Sequence, residues 1–161
     1  ENKKMNKDFI FAYPGYNVRS TEINAIIGLS QLKSLDKNIK KRNLNHKIFL
    51  DRIDSKKFFT DFVLKGSSNY AFNLILKKPD PEYANRLAIG MKKMGIEFRR
   101  GSAGGGNQLR QPYLRNIIDK KLYKNFPITD HVHFYGFYIG NYPDLKKKDV
   151  INICKLINSI N

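Results

Sequence analysis

Hydrophobic and polar positions repeat with different periods in the two parts of this chain. Over residues 21–53, apolar residues recur every three or four positions, the spacing of one face of a helix. From residue 70 onward, short apolar runs alternate with turn residues and helical stretches. The sequence therefore predicts an α+β fold in which long helices pack on a small sheet.

The N-terminal part is predicted to form two helices. Ser20 or Thr21 is suited to cap the first, whose apolar stripe begins at Ile23. Asp36 is expected to cap a second helix that continues to about Ile53.

The remainder is predicted to contain three strands and two helices. Pro81 is tolerated in the first turn of a helix and Gly95 favours its end. The glycines of GSAGGG, residues 101–106, predict a loop between elements. The strands are expected at 70–76, 96–100 and 133–140, and the helices at 81–95 and 146–160.

The composition is that of a folded chain, with 41% hydrophobic residues in 161. Cys154 is the only cysteine, which excludes an internal disulfide framework and a cysteine-based zinc site. No apolar run is long enough to span a bilayer, and the first residues lack the apolar core of a signal peptide. A cytoplasmic protein without a membrane partner is expected.

The net charge of +16 raises the question of a polyanionic partner. The lysines are scattered along the chain, which favours a solvated surface over a nucleic-acid groove. Nucleic acid is therefore not the expected partner. A stand-alone basic module that binds nucleic acid or another polyanion stays open as the alternative function.

The segment RRGSAGGGNQLRQPYL, Arg99 to Leu114, is a candidate binding loop. It lacks the Gly-Lys-Ser/Thr of a P-loop and the spacing of a dinucleotide site. Arginines flank backbone that can approach a ligand closely, and Asn107 and Gln108 carry amides of the kind that bind sugar hydroxyls. The alternative is a flexible surface connection.

His131 and His133 fall on one face if their segment is a strand, as half of a metal site would require. His46 is the only other histidine and no carboxylate cluster is near in sequence, so no metal is expected. No serine, cysteine or lysine stands in a nucleophile motif. The sequence therefore predicts no catalytic residue in this chain.

Asn17 and Arg19 stand just before the first predicted helix. An Arg fork, an amide and the free N–H groups of a helix start together favour an anion such as phosphate. The alternative is an Asn that tolerates an unusual backbone angle beside a solvated Arg.

The segment GYNVRSTEINAIIGLSQLKSLDKNIKKR resembles the signature of the DegT/DnrJ family, pyridoxal-phosphate enzymes that act on nucleotide-activated keto-sugars. The resemblance continues through GGGNQLRQPYL and FYIGNYPDL. It implies that residues 1–161 are the C-terminal small domain of a fold-type I enzyme, without the large coenzyme-binding domain. Residues 1–55 would form an interface loop and helices, and residues 56–161 an α/β sheet subdomain.

The resemblance also implies a function and its residues. The whole enzyme would be a nucleotide-sugar aminotransferase or sugar 3-dehydratase in lipopolysaccharide or other surface polysaccharide biosynthesis, acting as a homodimer. Its Schiff-base lysine or catalytic histidine would lie in the absent domain, so this chain alone is predicted to be inactive. Asn17 would contact the coenzyme phosphate of the neighbouring subunit. The residues that would contact the substrate are Arg19, Asn107, Arg110 and His133.

Overall fold

The computed structural model describes residues 20–103, 106–114 and 116–161, so Asn17 and Arg19 lie outside the described residues. The chain divides into two compact units, Glu1–Leu35 and Asp36–Asn161. The helices and strands confirm the α+β class. In chain order, the elements of the described part are α1 (Glu22–Leu32), α2 (Leu35–Arg52), β1 (Ala71–Ile75), α3 (Pro81–Lys93), β2 (Arg99–Arg100), α4 (Pro127–Tyr135), β3 (Gly136–Gly140) and α5 (Lys147–Asn158).

Helix α1 begins where the sequence predicts it. The Thr21 Oγ1 accepts a hydrogen bond from the Asn24 N–H at 3.4 Å, and Glu22 lies in the first turn. The helix is apolar on most of its sides, a pattern typical of helices that are buried. Five of its apolar side chains are each more than half exposed: Ile23, Ile26, Ile27, Leu29 and Leu32. These five residues are called the apolar surface of α1.

The sheet has β3 at its centre, antiparallel to both β1 and β2. Its register places Phe72 opposite Ile139 and Leu74 opposite Phe137. Since side chains alternate along a strand, these four buried residues share one face of the sheet. The face is covered by amphipathic helices, and the core includes Phe49, Leu87, Met91, Val150 and Ile157.

Local signals at α3 are confirmed. The Asp80 Oδ1 accepts from the Tyr83 N–H at 2.8 Å, and Pro81 occupies the first helical position. Gly95 follows the helix with φ +70°, a conformation that favours glycine. At α2 the prediction was less accurate, because the helix begins at Leu35 and Asp36 lies within its first turn rather than at its cap.

The strand predicted over residues 133–140 is wrong in its first half. Residues 133–135 end helix α4, which Pro127 begins, and β3 starts only at Gly136. An added Cβ at Gly136 would lie 2.5 Å from the Val132 carbonyl oxygen, so the direct passage from helix to strand requires glycine. His131 and His133 therefore project from different sides of a helix and do not share a strand face.

Asparagine side chains join three segments of the second unit. The Asn141 Nδ2 donates to two main-chain carbonyl oxygens, that of Arg42 at 2.9 Å and that of Asn69 at 2.7 Å. The Asn45 Nδ2 donates to the Leu145 oxygen at 3.1 Å and lies 3.5 Å from the Asn141 Oδ1. Asn45 and Asn141 are buried. Asn45, Asn69 and Asn141 are called the asparagine cluster.

Cys154 lies in the core on α5, with its Sγ 3.8 Å from the Phe49 carbonyl oxygen. Burial raises the pKa of this thiol to about 12. Among the residues that the structure describes, no helix combines the length and the hydropathy needed to cross a bilayer.

Candidate functional site

Two of the predicted substrate contacts, Asn107 and Arg110, bind an aspartate that the sequence does not single out, and a third, His133, is joined to them through Asn107. The Arg110 Nε donates to the Asp130 Oδ1 at 2.5 Å, and its Nη2 donates to the Oδ2. The Asn107 Nδ2 donates to the same Oδ1 at 2.9 Å. The backbone N–H of Asn107 donates to the His133 Nδ1 at 3.0 Å. Asn107, Arg110, Asp130 and His133 are called the loop cluster.

Each member of the loop cluster has a defined orientation. The Asn107 Oδ1 accepts from the Leu109 N–H at 3.2 Å and caps the 3-10 turn Gln108–Arg110. The His133 Nδ1 accepts a hydrogen bond, so in the neutral ring the proton is on Nε2. The Asn107 side chain is buried at 2% exposure, although it lies on a loop. The cluster is thus ordered by mutual contacts before any ligand is considered.

The Arg110 guanidinium is also fixed by aromatic rings. Its Cζ lies 3.8 Å from the centroid of the Tyr123 ring and 5.0 Å from that of Phe134. The Arg110 and Asp130 side chains are 30% and 20% exposed. The hydrogen bond from Arg110 has the largest effect on the pKa of Asp130 and lowers it. Desolvation raises this pKa and the hydrogen bond from Asn107 lowers it further, so that it lies below its ordinary 3.8.

Two glycines of the loop lie directly against α4. Gly106 has φ +58°, and an added Cβ there would be 2.1 Å from the His133 Nδ1. A Cβ at Gly101 would be 1.9 Å from the Val132 carbonyl oxygen. The Gly101 N–H donates to the Gly136 oxygen at 2.7 Å. The close approach predicted for this glycine-rich backbone is therefore made here to helix α4.

His131 is not part of the loop cluster. Its Nε2 lies 2.6 Å from the Leu76 carbonyl oxygen, and its ring contacts Phe59 and Tyr135. Within residues 20–103, 106–114 and 116–161, no three His, Cys, Asp or Glu side chains are grouped as metal ligands.

Two cavities differ in their relation to these residues. A cavity of about 200 Å³ is lined by Leu109, Arg110, Ile118, Lys120 and Tyr123, and so adjoins the loop cluster. A larger open cavity, of about 780 Å³, lies between β2, the end of β3 and α5, and it is not lined by Asn107, Arg110 or His133. We place the candidate site at the smaller cavity, because convergent polar groups of fixed orientation distinguish a binding site better than volume does.

Comparison with known proteins agrees with the sequence resemblance. The DegT/DnrJ/EryC1/StrS aminotransferase family matches residues 1–158. A GDP-4-keto-6-deoxy-D-mannose 3-dehydratase of Yersinia pseudotuberculosis is 31% identical over 153 residues, which are 92% of this chain and 38% of that protein. The enzyme of the same name from Escherichia coli O55:H7 is 29% identical over 140 residues, 86% of this chain and 36% of that protein.

A solved structure shares the fold. The crystal structure of GDP-4-keto-6-deoxymannose-3-dehydratase with a trapped PLP-glutamate geminal diamine has a TM-score of 0.69 and 25% identity. The match covers 98% of this chain and 40% of that one. The chain thus spans 36 to 38% of the length of these curated relatives. With its family match over residues 1–158, the chain belongs to the DegT/DnrJ/EryC1/StrS aminotransferase family.

Proposed function

We propose that this chain is the C-terminal portion of a pyridoxal-phosphate-dependent enzyme that acts on a nucleotide-activated keto-sugar. The match of the family to residues 1–158 carries the proposal. Two similar proteins named GDP-4-keto-6-deoxy-D-mannose 3-dehydratase support a GDP-linked 4-keto-6-deoxy sugar as the substrate class. The enzyme would work in the cytoplasm, in lipopolysaccharide or other surface polysaccharide biosynthesis, as an aminotransferase or a sugar 3-dehydratase.

The loop cluster would supply substrate contacts in this enzyme. Its polar groups are held in place by each other and adjoin a cavity, as binding groups of fixed orientation require. The cluster does not suit the phosphate of pyridoxal phosphate, because a carboxylate already occupies the Arg110 fork. When bound, the coenzyme provides the carbanion-stabilising chemistry.

The apolar surface of α1 supports a covered position for this helix in the complete protein. Five large apolar side chains exposed on one 11-residue helix would be costly in a finished enzyme, at roughly 1.5–3 kcal/mol for each such side chain left in water. We propose that these side chains are covered either by the further part of the enzyme that the longer relatives contain or by a second subunit.

Activity of the complete protein tests the proposal. The purified protein, supplied with pyridoxal phosphate, glutamate and GDP-4-keto-6-deoxymannose, should convert the keto-sugar. A 4-amino product would identify an aminotransferase and a 3-deoxy product a dehydratase, whereas an unchanged sugar nucleotide would contradict the proposal. The 161-residue chain alone should form no site-specific Schiff base, which absorption spectroscopy measures.

Asn17 and Arg19 are proposed to act across the interface of a homodimer. Both precede a helix start at Thr21, where backbone donors and the helix dipole favour an anion. Arg19→Ala should weaken substrate binding by about 1.5–3 kcal/mol through a lost charge-assisted contact, and Asn17→Ala should chiefly loosen the coenzyme.

Complementation distinguishes a shared site from a local one. Complete subunits that carry Arg19→Ala are mixed with subunits that lack the catalytic residue of the large domain. If the sites are shared, some mixed dimers hold one intact site and regain activity. If mixed dimers form and stay inactive, the pair has no role in the neighbouring subunit.

The alternative of a stand-alone polyanion-binding module receives no support from these relatives. It predicts sequence discrimination of about 4–10 kcal/mol if the module is a true specific nucleic-acid binder. Filter binding at physiological salt would detect such discrimination, and we expect none.

A further inference from the structure

We propose that Asp130 is a positioning residue that cancels the charge of Arg110 and makes the loop cluster a neutral hydrogen-bonding surface. Within the proposed function, on which this inference rests, such a surface fits the hydroxyl and carbonyl oxygens of the sugar. The diphosphate of the substrate would then be bound elsewhere. Asp130 is therefore assigned to the sugar end of the substrate, although the arginine beside it suggests a phosphate site.

The geometry of the ion pair is the first argument. Arg110 uses Nε and Nη2 together on the two oxygens of one carboxylate. This edge is one of the two through which a guanidinium can bind a phosphate with paired hydrogen bonds. A diphosphate would have to displace Asp130 to use it.

Fixed neighbours make that displacement costly. The Asp130 Oδ1 also accepts from the Asn107 Nδ2 at 2.9 Å, so one carboxylate holds two residues of the loop. The Arg110 plane lies over the Tyr123 ring at 3.8 Å, which limits its rotation towards another partner. The backbone of Asp130 is fixed in the first turn of helix α4.

The charge balance is the second argument. Within the loop cluster, one guanidinium and one carboxylate cancel and the Asn107 amide is neutral. Lys120 lines the adjoining cavity but is not a member of the cluster. The His133 ring accepts the Asn107 N–H at Nδ1, so its other nitrogen is left as a donor. Neutral donors of this kind pair with sugar oxygens, whereas a diphosphate needs net positive charge.

A charge-matched set of variants tests the role with inorganic pyrophosphate as the probe. Asp130→Asn uncovers the Arg110 charge, and Asp144→Asn removes the carboxylate of the exposed Lys41–Asp144 pair, 3.7 Å apart. Both variants raise the net charge by one, so a general electrostatic effect would be equal in the two. Asp130→Glu keeps the charge, and the double variant Asp130→Asn/Arg110→Gln restores neutrality.

Pyrophosphate affinity is measured on the 161-residue chain by NMR titration, following the His133 ring nitrogen signals in every variant and the Arg110 Nε–H signal in those that retain Arg110. We expect Asp130→Asn to bind pyrophosphate at least about tenfold more tightly than the wild type. The double variant, Asp130→Glu and Asp144→Asn should bind it as the wild type does. If Asp130 had only a structural role, Asp130→Asn would loosen the loop. It would not increase the affinity for pyrophosphate in a way that Arg110→Gln reverses.

Two results would overturn the inference. One is a wild-type chain that already binds pyrophosphate at Arg110 as tightly as Asp130→Asn. The other is an Asp130→Asn chain with no gain over Asp144→Asn. Neither readout depends on turnover, so an inactive complete protein would reject the proposed function and leave this test unaffected.

Discussion

The asparagine cluster and the loop cluster both use buried asparagine amides to join distant segments, but their partners differ. Asn141 donates to two main-chain oxygens, those of Arg42 and Asn69. Asn107 donates its amide to the carboxylate of Asp130, which also binds a guanidinium. The asparagine cluster contains no charged side chain and is bound to the backbone, whereas the loop cluster contains an ion pair of partly exposed side chains.

This difference distinguishes a structural role from the binding role that we propose. The position of a main-chain carbonyl is set by the fold, so an amide that donates to it stabilises the fold. An ion pair of partly exposed side chains has the chemistry that ligands use, and a cavity lies beside it. Substitutions in the asparagine cluster should therefore change stability, while those in the loop cluster should mainly change ligand preference.

The largest expected effect is that of Asn141→Ala. Two part-buried hydrogen bonds to main-chain oxygens would be lost, each worth roughly 0.5–1.5 kcal/mol, and the buried Asn45 amide would lose its contact with Asn141, so the free energy of unfolding should fall by about 3 kcal/mol. Urea denaturation of the 161-residue chain measures it. Asn152→Ala, on the exposed side of α5, is the matched control and should change stability by less than about 0.5 kcal/mol. Equal effects of the two substitutions would remove the distinction between the clusters.

Gly106→Ala should have the next largest effect. Gly106 and Gly66 both have positive φ, +58° and +80°, and an alanine at either costs roughly 1–2 kcal/mol in backbone strain. Only at Gly106 would the new Cβ also meet a side-chain atom, the His133 Nδ1 at 2.1 Å. Gly106→Ala should therefore be more destabilising than Gly66→Ala. Of the two variants, only Gly106→Ala should shift the His133 ring nitrogen signals. If both variants leave those signals unchanged, the loop is not held against α4 as described.

The smallest effect is a pH dependence that differs between the regions. His46 follows Asn45 in α2, is 1% exposed, and has no ring-nitrogen partner within the described part of the chain. Burial lowers its pKa from 6.5, so the unfolded chain takes up the proton first and stability should fall as the pH drops below about 6.5. The pKa of Asp130 is lowered from 3.8, so its contribution is lost only at still lower pH.

Urea denaturation at pH 7 and pH 5 measures this separation. His46→Phe, which keeps a ring against Phe72, should flatten the dependence over that range, and Asp130→Asn should leave it unchanged. A wild-type chain with equal stability at both pH values would show that His46 titrates normally in the folded state.

The sequence predicts well where the controlling residues are neighbours. Asp80, Pro81 and Gly95 define α3 within one short segment, and Thr21 caps α1 in the same way. The aromatic run from His133 to Tyr135 instead suggested a strand, because Pro127, which begins the helix, precedes that run by six residues.

The loop cluster was predicted in part. Asn107, Arg110 and His133 were selected from the family resemblance, but Asp130 was not, because its partner Arg110 is 20 residues away in sequence. The signal that could have found Asp130 is a lone acid in the first turn of an otherwise apolar and aromatic helix. Asn141 lies within FYIGNYPDL, yet its role depends on α2 and on the turn before β1, and hydrophobic periodicity does not predict that these segments meet.

The buried thiol of Cys154 is a natural probe for the rate at which the core opens. As the only cysteine, and with a pKa of about 12, it should be inert to disulfide reagents at neutral pH while the core is closed. Each labelling event would then record one opening of the core around α5, with no dye or engineered probe. At low reagent the labelling rate follows the open population, and at high reagent it follows the opening rate itself. Substitutions can thus be ranked by both the population and the rate of this opening, from labelling at two reagent concentrations.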